Sequence, residues 1–353
     1  MRNFLFIIAA AALLQGCGEA RSESVPRAPK LTERPLANYE LAPNEEVARR
    51  EAVAEALPDD AVIRFSDILD QYRALNARLE SVSARLQIAN ASLCPAVVRD
   101  PGFTVHTLSD YPDQLQQVAR SLLPVDEGLS VRTVRAGSPA QAAGLMPGDK
   151  LVGINGQRFV GGRTQKIFYD QVTKQAFAAN TASLTVARAS GGESSDVLSF
   201  DMQPQTICGY PAHVVFDETV NGHTDGSAIW ITSELMRTVD DDVNLALIVA
   251  HEMAHALAGH LSLTPTGEER KKLELMADSM ALVMLSRAGF DIDRAISYWT
   301  RADNPQRLSQ SRSNTHPSIT QRLQNFETAQ RDIEVAQRRG ASLDFSILTA
   351  PTL

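Results

Sequence analysis

Residues 243–258 read VNLALIVAHEMAHALA, an almost unbroken apolar run interrupted by His251, Glu252 and His255. Its length and composition predict a buried helix. Asp240, Asp241 and Asp242 precede it and suit a helix N-terminus through capping and the macrodipole. Positions four apart share a helix face, so the two imidazoles project to the same side. Two ring nitrogens at that spacing can share one tetrahedral zinc ion, with Glu252 beside them to act on a water. The competing reading is a core helix whose histidines are merely hydrogen-bonded.

Working outward, the third ligand decides the subclass. Position 261 is Leu261, which excludes the metzincin pattern of a third histidine six residues after the second; His260 stands one residue short. Residues 268–288 read as a second helix, with Gly289 as its stop. On it, Glu274 and Asp278 lie four apart on one face. Glu274 completes a His-His-Glu set for one zinc per chain, leaving the fourth position to water. Asp278 is placed to accept the remaining ring N–H of a ligand histidine. Solvated carboxylates are the alternative, but Leu275, Met276, Ala277, Met280, Ala281, Leu282 and Val283 surround them.

Upstream lies a segment of different character. Gly128-Leu129-Ser130-Val131-Arg132-Thr133-Val134 leads into Gly137-Ser138-Pro139-Ala140, then Ala143-Gly144-Leu145, Pro147-Gly148-Asp149 and Leu151-Val152-Gly153-Ile154-Asn155-Gly156. Ser138 suits a helix cap with Pro139 after it, and Gly148-Asp149 and Asn155-Gly156 suit tight turns. In this order the elements resemble a bacterial PDZ domain of the kind attached to envelope proteases. The resemblance implies a module that takes extended peptide C-termini by adding a strand to a sheet edge. Residues 127–130 are its candidate binding loop.

The N-terminus begins Met1-Arg2 with an apolar run from Phe4 to Leu14, a secretory signal too short to span a bilayer comfortably. Leu14-Gln15-Gly16-Cys17 resembles the bacterial lipobox, which implies acylation of Cys17 and a membrane anchor. That predicts the periplasmic side of a bacterial cell envelope, and Gly18 favours the outer membrane of a Gram-negative cell. Two further cysteines, Cys94 and Cys208, flank the PDZ-like segment in a compartment that permits disulfides, so a bridge between them is expected across the insert. The net charge of −8 provides no basic footprint for nucleic acid.

Together, His251-Glu252-x-x-His255, the Ala258-Gly259-His260 helix end, Glu274-x-x-x-Asp278, and Thr315-His316-Pro317 with Arg322 resemble the HtpX and CAAX-protease family of gluzincins over residues 61–340. The resemblance implies a soluble lipoprotein branch of that family. It also implies that His316 lies near the zinc as an oxyanion donor or latent ligand. Arg322 pairs with Asp278 or a ligand carboxylate, or is exposed. Ile229, Trp230 and Ile231 match the family's edge strand, along which substrate lies.

The expected fold class is α+β: a mostly helical zincin-type domain with a small edge-strand sheet, plus an inserted β-rich PDZ domain. The expected boundaries are a signal at 1–16, a tether at 17–58, peptidase sequence at 59–127, the insert at 128–205, the catalytic remainder at 206–340 and a tail at 341–353. The function so implied is peptide-bond hydrolysis in envelope proteins, misfolded ones above all, with Glu252 and His316 catalytic. The alternative is a peptide-binding chaperone or scaffold lipoprotein with little proteolysis.

Overall fold

Helix α1 (Asp59–Ala89) opens the described part of the chain. It carries Leu79, Val82 and Leu86 at helical spacing into the main core. The computed structural model describes residues 59–111, 113–159, 165–191, 194–301 and 316–351. The signal segment, the tether and Cys17 lie outside them.

After α1 the chain forms strands β1 (Val97–Asp100) and β2 (Phe103–His106), helix α2 (Asp113–Leu122) and strand β3 (Ser130–Val134). A short helix α3 (Pro139–Ala143) follows, then β4 (Lys150–Ile154), β5 (Gln157–Arg158), α4 (Gln165–Ala178), β6 (Ala182–Gly191) and β7 (Ser194–Met202). Five of these strands form a sheet in the order β2-β3-β4-β6-β7, and β5 pairs with β4 at its margin. Ser138 caps α3 by accepting from Gln141 N, and Gly144 ends it at φ 91°. Asn155 and Gly156 turn the chain between β4 and β5 with positive φ values of 49° and 78°. A core of its own, with Leu129, Val131, Ile154, Leu184 and Val186, lies beneath this sheet.

Strand β8 (Gln205–Cys208) returns antiparallel to β1, pairing Val97 with Cys208, so the insert leaves and re-enters the helical half side by side. Cys94 and Cys208 form a disulfide beside this ribbon, with Cα atoms 5.5 Å apart and 114 residues of sequence between them. The sheet of the insert begins at Phe103, paired with Val134, and not at residue 128. The boundary drawn from sequence misses β2 because a strand's partner is set by long-range pairing, and α2 separates β2 from β3. In the candidate binding loop at residues 127–130, Leu129 is buried and its carbonyl accepts from Leu151 N, and Ser130 opens β3.

The helical half continues with β9 (Ala212–Val215), β10 (Gly222–Thr224) and β11 (Ile229–Thr232), then α5 (Ser233–Thr238), α6 (Asp242–Leu257), α7 (Gly267–Arg287), α8 (Ile292–Thr300) and α9 (Ile319–Arg338). Asp241 caps α6 by accepting from Val243 N, Thr266 and Glu269 form a capping box on α7, and Gly289 at φ 69° follows its end. Leu245 to Ala250 of α6 and Leu282 to Leu285 of α7 meet in a core that also takes Ile229 and Ile231 of β11 and Phe326 of α9. Leu343, Phe345, Ile347 and Leu348 pack against the same core, so the described part of the tail rests on the helical half. Among the described residues no helix is long and apolar enough to cross a membrane.

Candidate metal centre

Helix α6 presents His251 and His255 from one face, and α7 packs beside it to present Glu274. The Nε2 atoms of the two histidines are 3.1 Å apart. Glu274 Oε2 lies 3.3 Å from His251 Nε2, and its Oε1 lies 3.5 Å from His255 Nε2. Tetrahedral donors about 2.0–2.1 Å from zinc stand roughly 3.3–3.4 Å from one another. The three donors therefore have the type and the spacing of a zinc site.

A layer behind the triad orients it. Asp278 Oδ1 lies 3.0 Å from His251 Nδ1. Arg322 of α9 donates from Nε to Asp278 Oδ2 at 2.8 Å and from Nη2 to Oδ1. Both side chains are only 1% exposed. The Arg322 guanidinium lies 3.9 Å from the ring centroid of Trp299. Asn325, one turn further along α9, donates to Leu275 O and Ser279 Oγ and so pins α9 to α7.

His316 stands at the rim, with Nε2 3.8 Å from Glu274 Oε2. His260, which the sequence reading passed over as a failed third ligand, lies behind the triad with Nδ1 2.9 Å from His255 Nδ1. Gly259 at φ 67° reverses the chain after α6 and directs it there. The helix end Ala258-Gly259-His260 was the only legible sign of this placement.

These positions set the charges. Burial alone would push His251 down, but hydrogen bonds with Asp278 and Glu274 hold its pKa up, at about 10. Burial alone would raise Glu274, but hydrogen bonds from His251 and His255 hold its carboxyl well below the usual range. Burial raises Glu252, and the same effect lowers His316. Burial would raise Asp278, but the Arg322 charge keeps it low.

In the metal-free chain His251 is thus protonated near neutrality, and it must give up a proton to offer Nε2 to a metal. Below about pH 10, zinc binding is expected to release close to one proton from this ring, so affinity rises with pH. Calorimetric titration of the metal-free protein with zinc in two buffers of different ionisation enthalpy measures that release. A value near zero would contradict the assignment of charge.

One sequence assignment is corrected. Ile229, Trp230 and Ile231 do not form an edge strand: β11 is central, between β10 and β9, and Ile229 and Ile231 are fully buried. The end strand packed against α6 is β10. Thr232 N donates to Asn221 O and Asp225 N to Ala228 O, which makes 221, 223 and 225 the hydrogen-bonded positions toward β11. The backbone groups of Gly222 and Thr224 therefore face away from β11, toward the outer side of the sheet. A Cβ on Gly222 would meet Ile231 Cδ1 at 3.1 Å and Ile248 Cγ2 at 3.3 Å, so this glycine lets β10 lie close to α6.

Residues 213–267, from β9 to the first residue of α7, match peptidase family M48, and residues 130–169 match the PDZ domain family. The chain carries an M48 peptidase domain and a PDZ domain. The mitochondrial metalloendopeptidase OMA1 of Saccharomyces cerevisiae is 27% identical over 155 residues, covering 32% of this chain and 45% of that protein. The matched stretch is thus less than half of the yeast protein's length.

Two solved PDZ structures also align with 32% of this chain. One is the PDZ domain of HtrA3 bound to a phage-derived ligand, at 24% identity, with 93% of that chain covered and a TM-score of 0.24. The other is the PDZ domain of a carboxy-terminal protease from Vibrio cholerae in complex with a peptide, at 17% identity, with 98% covered and a TM-score of 0.21. The three candidate metal donors come from two helices, and the α+β class follows from joining these helices to the sheet of the PDZ domain.

Proposed function

We propose that this chain is a zinc metalloendopeptidase whose PDZ domain docks exposed peptide ends. The observation that carries the reading is the convergence of His251 Nε2, His255 Nε2 and a Glu274 carboxylate oxygen at zinc-donor spacing, with Glu252 on the helix that bears the two histidines. Zinc, when bound, polarises the scissile carbonyl and acidifies a water. Glu252, its carboxyl raised by burial, takes the proton of that water and passes it to the departing amine. His316 at the rim donates to the developing oxyanion. The outward backbone groups of Gly222 and Thr224 on β10 receive the substrate as an added strand. Docking at the PDZ domain raises the local concentration of a chain threaded toward this site.

The lipobox-like Leu14-Gln15-Gly16-Cys17 supports anchoring of the enzyme through Cys17 on the periplasmic side of a bacterial envelope membrane, the outer one in a Gram-negative cell. There its substrates are envelope proteins that have lost their fold. A scaffold or chaperone would have no use for Glu252 beside a complete donor set, which favours the enzyme over the alternative.

The test combines composition with turnover. Purified protein is expected to hold one zinc per chain by elemental analysis and to cleave an unfolded polypeptide. A chelator is expected to abolish cleavage, and added zinc to restore it. Cleavage indifferent to the chelator, or protein without zinc after reconstitution, would overturn the reading.

A further inference from the structure

The two metal histidines do not share the same support. His251 turns Nδ1 to the Asp278 carboxylate, which is itself held by Arg322. His255 turns Nδ1 to another imidazole, His260, at 2.9 Å between the two Nδ1 atoms, with the ring centroids 5.0 Å apart and nearly perpendicular. His260 is 6% exposed, and its Nε2 is buried without a hydrogen-bond partner among the described residues. Among the described residues the bond to His255 is therefore the one hydrogen bond that orders this ring.

From this geometry we infer that His260 is a positioning residue that fixes the tautomer and ring angle of His255. His255 directs Nε2 at the donor cluster, so Nε2 must keep its lone pair and Nδ1 must carry the proton. Only one of two facing Nδ1 atoms can hold a proton in a hydrogen bond. His260 must then accept at Nδ1 and carry its own proton on Nε2. A ring with the opposite tautomer would oppose N–H to N–H and turn His255 away from the metal. The buried position of His260 and the turn at Gly259 leave its ring little room to rotate out of the way. A neutral imidazole here also avoids a second buried charge behind a triad that already has the Asp278 and Arg322 pair on its other side.

The inference rests on the zinc-centre reading, and its test separates the two. Zinc affinity of the full chain is measured by competition with a chromogenic chelator for the wild type, His260→Asn, His260→Gln and His260→Leu. The side-chain oxygen of Asn branches at the same carbon as Nδ1, whereas Gln places its amide one carbon further out.

Gln and Leu are expected to weaken zinc binding by about 10–100-fold, and Asn to hold it within about threefold of wild type. Affinities unchanged in all three variants would overturn the inference. Equal losses in all three would also overturn it, because they would mark a packing role. A wild type that binds no zinc would remove the metal-centre reading, and this inference with it. Where a variant fails to fold, long-range ¹H–¹⁵N spectra of the zinc-loaded wild type decide the matter. Protonated Nδ1 on His255 with protonated Nε2 on His260 is the expected pattern, and a proton on Nδ1 of His260 refutes it.

Discussion

Glu252→Gln is expected to lower the turnover of an unfolded polypeptide by about 10²–10⁴-fold, the range that a positioned general base contributes. Zinc content is expected to stay at the wild-type level. The amide keeps the shape of the carboxyl but cannot take a proton from water or return it to the leaving amine. The candidate metal donors are His251, His255 and Glu274, and Gln removes none of them. Burial already raises the Glu252 carboxyl, so a neutral group of the same size carries no desolvation cost and thermal stability is expected to hold or rise slightly. Steady-state kinetics and elemental analysis on the same preparation provide both readouts. Wild-type turnover in the variant would remove Glu252 from the chemistry and return the scaffold reading.

Arg322→Leu is expected to cost about 3–5 kcal/mol of stability by denaturant unfolding, the range for breaking one side of a buried ion pair. Arg322 and Asp278 are both 1% exposed, and the variant leaves the carboxylate buried without its cation. It also takes a guanidinium from the face of Trp299. Adding Asp278→Asn to the variant is expected to recover part of the loss, since the amide leaves no buried charge. Asp278→Asn alone is expected to weaken zinc binding by about 10–100-fold through His251, whose Nδ1 it faces at 3.0 Å. A change below about 1 kcal/mol in Arg322→Leu would show that the pair is solvated in solution.

The donor set was legible because helical spacing is a local property. His251 with His255, and Glu274 with Asp278, each fall four residues apart, and the helix geometry alone puts each pair on one face. The turns of the PDZ domain were legible for the same reason. Ser138-Pro139, Gly144 and Asn155-Gly156 have conformational requirements that no distant residue has to meet.

What required the folded chain was every relation between separate elements. In the sequence Arg322 could pair with Asp278 or a ligand carboxylate or be exposed, and only the packing of α9 on α7 selects Asp278. His260 looked like a ligand one residue out of register until the left-handed Gly259 turned it behind His255. The family resemblance made Ile229 to Ile231 an edge strand, but strand order makes it central and leaves β10 at the edge beside α6. The PDZ sheet begins at Phe103 for a similar reason, since β2 is defined by its pairing with β3 across α2.

The sequence by itself determined which side chains share a helix face, because HExxH and ExxxD need only one helical turn each to bring their groups together. The tertiary structure alone decided what holds those groups in place and which strand is open beside them. Pairing and burial depend on chain segments tens of residues apart, whose meeting no local periodicity records.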